Sequence, residues 1–236
     1  MSNYSLFSRT KLSSLIAALL ISAAPQAYGQ TRVATHPEFV TAITTGSSTK
    51  TLIFDSANIL FDGTHDSRVT PALGNVTLNI SSEDHGQITF QGSFTDGSLG
   101  TVGDINNNHT GRFLTKQGSQ YNNNGDQLNL VCDTDTIIRD FGVKGEDDNG
   151  QFRPVGQAGA IYHYIESGIN SALTISGAGN VTFYNNTALG GSALNNRTDS
   201  NGLGGAISGQ NVYLQGSGTY TFDSNKAIGG DALVEM

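Results

Sequence analysis

The sequence predicts an all-β chain of short stacked strands with one short helix capping its N-terminal end. Three observations predict it. The first is composition: 30 Gly and 21 Asn in 236 residues, no Trp, and only 14% charged residues. Such a chain is poor in helix formers and rich in turn formers, which excludes a helical bundle or coiled coil. Short apolar runs recur along its whole length and charge is low, which excludes a disordered chain. The second is a repeat of fixed period near the C-terminus. The third is a helix start signal at Thr35, ahead of the first strand-like run.

The first 29 residues read as an address. Arg9 and Lys11 precede the thirteen-residue apolar stretch Leu12 to Ala24, and Ala27-Tyr28-Gly29 sets small residues at a signal-peptidase site. Thirteen residues rise about 20 Å as a helix, short of a hydrocarbon core of roughly 30 Å. A secretory signal peptide over 1–29 is therefore expected rather than a membrane span. Residues 30–236 then form the mature domain. The chain has 12 Lys and Arg against 20 Asp and Glu, and only two of these charges, both basic, fall in 1–29. An acidic domain of this kind is poorly matched to nucleic acid, and no nucleic-acid partner is expected. Cys132 stands alone, so no intrachain disulfide is available.

Next along the chain, Thr35-His36-Pro37-Glu38 has the form of a capping box with proline in the first turn. Phe39 and Ile43, with Val40 beside them, give the helix an apolar face. Alternating runs then predict strands at Thr51–Phe54, Asn75–Ile80, Gln87–Phe90, Leu128–Cys132, Thr136–Phe141 and Ala160–Tyr164. Residues 95–126 are Gly- and Asn-rich without clear strands apart from Arg112–Leu114, and are expected to form an insertion looping off the stack.

The repeat closes the chain. Residues 173–194 (LTISGAGNVTFYNNTALGGSAL) and 212–233 (VYLQGSGTYTFDSNKAIGGDAL) align at an offset of 39 without a gap, and 10 of 22 positions are identical. Strands of three to five residues separated by Gly/Asn corners would be marginal alone. Stacked at about 4.8 Å, each pairs with its equivalents above and below, as in a β-solenoid. Asn186 and Asn225 fall at one register and suit an asparagine ladder. The continuation that follows the first copy is missing after the second, so the domain is expected to be truncated relative to the architecture that produced its repeats.

Gly204-Gly205-Ala206-Ile207 reads GGAI, and Gly159-Ala160-Ile161, preceded by Ala158, is its near match. Phe183-Tyr184-Asn185-Asn186 and Phe222-Asp223-Ser224-Asn225 both read FxxN. Alternating GGA[ILV] and FxxN motifs after a signal peptide resemble the polymorphic outer membrane proteins, chlamydial-type autotransporter adhesins. The resemblance covers residues 158–225 and implies a right-handed parallel β-helix passenger at the cell surface of a Gram-negative bacterium. By the same resemblance it would be a virulence-associated adhesin whose partner is a host-cell receptor or glycan. It also implies that Gly204, Gly205, Ala206, Ile207, Phe183, Asn186, Phe222 and Asn225, with Gly159, Ala160 and Ile161, serve adhesion. Coil geometry alone accounts for every one of these residues as well, and the chain has no room for the family's C-terminal membrane barrel. Outer-membrane association would therefore need a barrel absent from this chain.

The alternative function is a secreted β-helical polysaccharide lyase or hydrolase. Its best patch is Asp133, Asp135, Arg139, Asp140, Lys144 and Glu146 to Asp148. Two acids two residues apart could share a strand face and hold Ca²⁺, although paired acids on a solvated edge are common. His36, His65, His85, His109 and His163 show no metal-binding spacing, and nucleotide-binding and nucleophile-elbow motifs are missing. No catalytic residue, metal or cofactor is expected.

Overall fold

A computed structural model of the chain describes residues 29–45, 48–62, 67–69, 74–93, 111–117, 126–145, 156–164, 171–191, 193–194, 202–230 and 232–233. The expected signal peptide lies outside them except for Gly29, as does most of the expected insertion. Strand β1 (Gln30–Val33) leads into helix α1 (His36–Thr44). Next come β2 (Thr49–Phe54), β3 (Asn58–Leu60), β4 (Val76–Ser81), β5 (Gln87–Gln91) and β6 (Leu114–Gln117). Then follow β7 (Gln127–Cys132), β8 (Asp135–Arg139), β9 (Gly142–Lys144), β10 (Gly156–Gln157) and β11 (Ile161–Tyr164). The first repeat copy supplies β12 (Ala172–Ser176), β13 (Val181–Tyr184), β14 (Thr187–Leu189) and β15 (Ala193–Leu194). After β16 (Gly202–Leu203) and β17 (Ile207–Gly209), the second supplies β18 (Val212–Leu214), β19 (Tyr220–Asp223), β20 (Lys226–Ile228) and β21 (Ala232–Leu233).

Among the described residues the fold is all-β, with strands in parallel sheets and one short helix. The largest sheet runs β1-β2-β4-β7-β12-β18, and a second runs β19-β13-β8-β5-β3. Smaller sheets are β17-β11-β6, β20-β14-β9, β10-β16 and β15-β21. The strand pairs whose register is described all run parallel. In the repeat the register reproduces the sequence offset of 39: Leu173 faces Val212, Phe183 faces Phe222, Ala188 faces Ala227 and Ala193 faces Ala232. Upstream the offset departs from 39. Phe183 faces Ile138, which faces Phe90, which faces Ile59. From β7, β8 and β9 to β12, β13 and β14 the offset is a constant 45, so there the residues differ and the loop lengths do not. Between earlier strands the offset changes from 52 at Val76 and Leu128 to 48 at Phe90 and Ile138, because the loops differ in length.

This register lines the core with columns of like residues. Val76, Leu128 and Leu173 form one buried column, and Leu52, Ile80 and Cys132 another. Burial at about 25 cal/mol per Å² of apolar surface stabilises both. On the other face of the largest sheet, side chains bond from strand to strand: Asn129 Nδ2 donates to Thr77 Oγ1 and Asn79 Nδ2 to Thr51 Oγ1, each at 3.3 Å.

The helix forms as its capping box requires. Thr35 Oγ1 accepts from the Glu38 N–H, and the Glu38 carboxylate accepts from the Thr35 N–H at 3.0 Å and the Ala34 N–H at 2.8 Å. Those backbone bonds hold the Glu38 carboxyl below its ordinary pKa. At the other end Lys50 Nζ donates to the Thr45 carbonyl at 2.7 Å, a cation on the negative end of the helix dipole. Phe39, Ala42 and Ile43 are buried. The Phe39 ring lies 5.5 Å from Phe113, 5.6 Å from Phe61 and 5.7 Å from Phe90. The helix therefore closes the aromatic end of the core.

Predicted and observed strands agree in place and differ at their ends. The run predicted to Phe141 stops at Arg139, because Asp140 takes a left-handed conformation (φ 58°). Within the expected insertion, residues 111–117 are integral to the core: Phe113 and Leu114 are fully buried, and β6 pairs with β11. The Arg112–Leu114 exception was the visible trace of this strand.

Candidate functional site

The two kinds of tetrapeptide meet. In FxxN, the third residue is left-handed in successive strands: φ is 51° at Asn185 and 56° at Ser224, as at Asp140 in the strand before. A left-handed residue turns the chain out of the sheet and frees backbone groups at the corner. The asparagine of the next strand satisfies them. Asn186 Oδ1 accepts from the Phe141 N–H at 3.1 Å, and its Nδ2 donates to the Ile138 carbonyl at 3.0 Å. One strand further, Asn225 Oδ1 accepts from the Asn186 N–H at 3.0 Å, and its Nδ2 donates to the Phe183 carbonyl at 2.9 Å. Asn186 Nδ2 also reaches Asn225 Oδ1 at 2.9 Å. The phenylalanines stack as the register dictates, with Phe183 and Phe222 ring centres 5.0 Å apart and planes 8° from parallel.

The GGAI corners press against these turns. A Cβ on Gly159 would overlap the Gly205 carbonyl oxygen and lie 2.6 Å from the Thr187 nitrogen, directly after Asn186. A Cβ on Gly205 would lie 2.6 Å from the Lys226 nitrogen, directly after Asn225. Gly204 has φ +66°, open to glycine at little cost. Ala160 and Ala206 are buried in the same corners, the Ala206 carbonyl accepts from the Ala160 and Ile161 N–H groups at 2.9 Å, and Ile161 faces Ile207. The structure thus gathers every predicted motif residue into two interlocked corners. The side chains of Phe183, Asn186, Ala160 and Ile161 are buried, and of the middle positions of FxxN Tyr184, Asp223 and Ser224 are exposed while Asn185 is half-buried.

The acidic patch does not gather. Asp135 accepts from the Asn180 N–H at 2.8 Å and from Asn180 Nδ2 at 3.3 Å. Asp140 accepts from Arg139 Nε at 2.7 Å and from Asn185 Nδ2 at 2.8 Å. Both acids serve corners, and Arg139 lies over the Tyr184 ring at 5.3 Å. Glu146 to Asp148 lie outside the described residues. Among the described residues, no three of His, Cys, Asp and Glu come together to hold a metal ion. Burial pushes the Cys132 thiol up to about 12, which leaves it unreactive in the folded chain.

Sequence reasoning missed a buried polar group beside β6 and β11. Arg112, Lys116, Asp126 and His163 are all almost wholly enclosed. Arg112 donates to the Gln157 carbonyl at 2.7 and 3.0 Å and to the Ala158 carbonyl at 3.2 Å, and lies 4.8 Å from the Tyr162 ring centre. Burial lowers its pKa to about 10, so it stays charged at neutral pH. Lys116 and His163 are register partners. Burial, and then the Lys116 charge, push His163 down to about 4, against the pull of Asp126. The signal for this group was faint: two cations bracketing Phe113 and Leu114 inside a Gly/Asn-rich stretch.

No family model, curated protein or solved structure matches the chain. Among the described residues no helix is long and apolar enough to cross a membrane.

Proposed function

We propose that residues 30–236 form a right-handed parallel β-helix, exported by the signal peptide 1–29, that adheres to host cells in the manner of a polymorphic outer membrane autotransporter passenger. The observation that carries this reading is the interlock of the GGAI and FxxN corners at the register of the 39-residue repeat. Parallel pairing of each short strand with equivalents one turn away is what a β-helix requires.

The interlock also divides the labour within the motifs. Phe, Asn, Gly and Ala hold the corners, and adhesion falls to the side chains that the corners display. Tyr184 is 36% exposed, and Asp223 and Ser224 are exposed on the neighbouring strand. An aromatic ring with a polar tip beside short polar groups suits contact with a protein or glycan surface.

The test is binding of beads coated with residues 30–236 to cultured epithelial cells. Coated beads should bind well above albumin-coated ones. The pair Tyr184→Ala and Asp223→Ala should lower binding about fivefold or more while the melting temperature falls by only a few degrees, since Asp223 is exposed and Tyr184 gives up chiefly its contact with Arg139. Binding by the wild type at the albumin level would defeat the adhesin reading.

A further inference from the structure

We propose that Gln30, once the signal peptide is removed, closes on itself to a pyroglutamate, so that the mature chain begins with a lactam in place of a free amine. The proposal rests on the reading of residues 1–29 as a signal peptide and is independent of adhesion.

Three observations carry it. First, the small residues Ala27 and Gly29 place the cut before Gln30, so the residue that receives the new α-amine is a glutamine. Second, that terminus stands in the open. Gln30 opens β1, the strand is exposed from Gln30 to Arg32, and Val33 is its first buried residue. A Cβ on Gly29 would meet nothing within 4 Å. Third, a ring fits there. The lactam fixes φ much as proline does, and a ring of that kind is tolerated at the first residue of an edge strand. Gln30 is the first residue of β1, and β1 stands first in its sheet.

The α-amine nitrogen of Gln30 attacks its own side-chain Cδ. The N–Cδ bond forms, the Cδ–Nε2 bond breaks, one amine proton passes to Nε2, and ammonia leaves. No oxidant, metal or second substrate enters the balance. Amine and carboxamide belong to one residue and close a five-membered ring, so proximity favours the step. An α-amino group titrates at about 8, so a share of it is neutral and nucleophilic near neutral pH.

The ring guards the start of the largest sheet. Aminopeptidases need a free α-amine. Loss of Gln30, Thr31 and Arg32 would remove the bonds from Arg32 to Asp55 and Glu83 and leave the terminus at Val33. Val33 is buried, and its carbonyl accepts from the Asp55 N–H at 3.0 Å.

The experiment expresses the full chain, leader included, in a Gram-negative host and reads the intact mass of the exported protein. A chain that begins at Gln30 and is lighter by one ammonia is expected. It should be blocked to stepwise N-terminal sequencing and resist a broad aminopeptidase until pyroglutamyl peptidase removes the first residue. Gln30→Asn would need a four-membered ring, so that variant should keep its amine, melt as the wild type does and be trimmed. A mature chain that begins at Gln30 with its ammonia retained would overturn the proposal and leave export standing. So would trimming of the wild type as fast as the variant. A chain that begins at any other residue would overturn the cleavage reading and this proposal with it.

Discussion

Asn186 shows how much one side chain contributes at a corner. Its amide serves the Phe141 N–H, the Ile138 carbonyl and Asn225 Oδ1, and it is fully buried. The sequence marked it as a ladder residue from register alone, but could not show that the ladder caps backbone groups freed by a left-handed neighbour. His163 is a contrasting case, buried beside Lys116 with no such signal. Its pKa is about 4 in the folded chain, against about 6.5 when unfolded. Between those values the unfolded chain binds the extra proton, so stability falls as pH drops from 6.5 to 4 and is fully present above 6.5. The loss should be about 3 kcal/mol, an order-of-magnitude figure. Urea denaturation at pH 7.5, 5.5 and 4 should show it, and His163→Gln should flatten much of the slope. An unchanged slope in that variant would place the titrating groups elsewhere.

Among the elements, α1 was the most legible. The Thr35/Glu38 box, Pro37 and the Phe39/Ile43 face all appear as the sequence predicts. Local chemistry decides a helix start, and local chemistry is what a sequence displays. The short strands were less legible. β3, β9 and β14 have three residues each, and periodicity cannot resolve so short a run from a loop. They exist because parallel neighbours complete them. β6 was hidden by its Gly/Asn-rich flanks, although Phe113 stacks on Phe39 at 13°. The helix should accordingly matter to the whole domain. Phe39→Ala should cost about 3–5 kcal/mol, the range for a buried aromatic truncated in a core. Thr35→Ala should cost about 1 kcal/mol, the value of an N-cap. Chemical denaturation checks both, and a Phe39→Ala loss below that of Thr35→Ala would mean that the helix does not close the core.

Across the molecule the same residues recur in register: Ile59, Phe90, Ile138, Phe183 and Phe222 down one column, and Asn186 and Asn225 at its corner. The 39-residue offset was readable because the last two layers have loops of equal length. The strands just before them keep an even offset of 45 but not the residues, and earlier ones keep the pairing and lose the spacing as well. FxxN joins one layer to the next through its asparagine, and GGAI seats the corner against it. A double-mutant cycle tests this most directly: Asn186→Ala, Asn225→Ala and the pair, each measured by urea denaturation. The two losses should not be additive, with a coupling of about 1 kcal/mol between residues 39 apart in sequence and in hydrogen-bond contact. Additive losses, within about 0.3 kcal/mol, would mean that the two asparagines do not act on each other and would contradict the ladder.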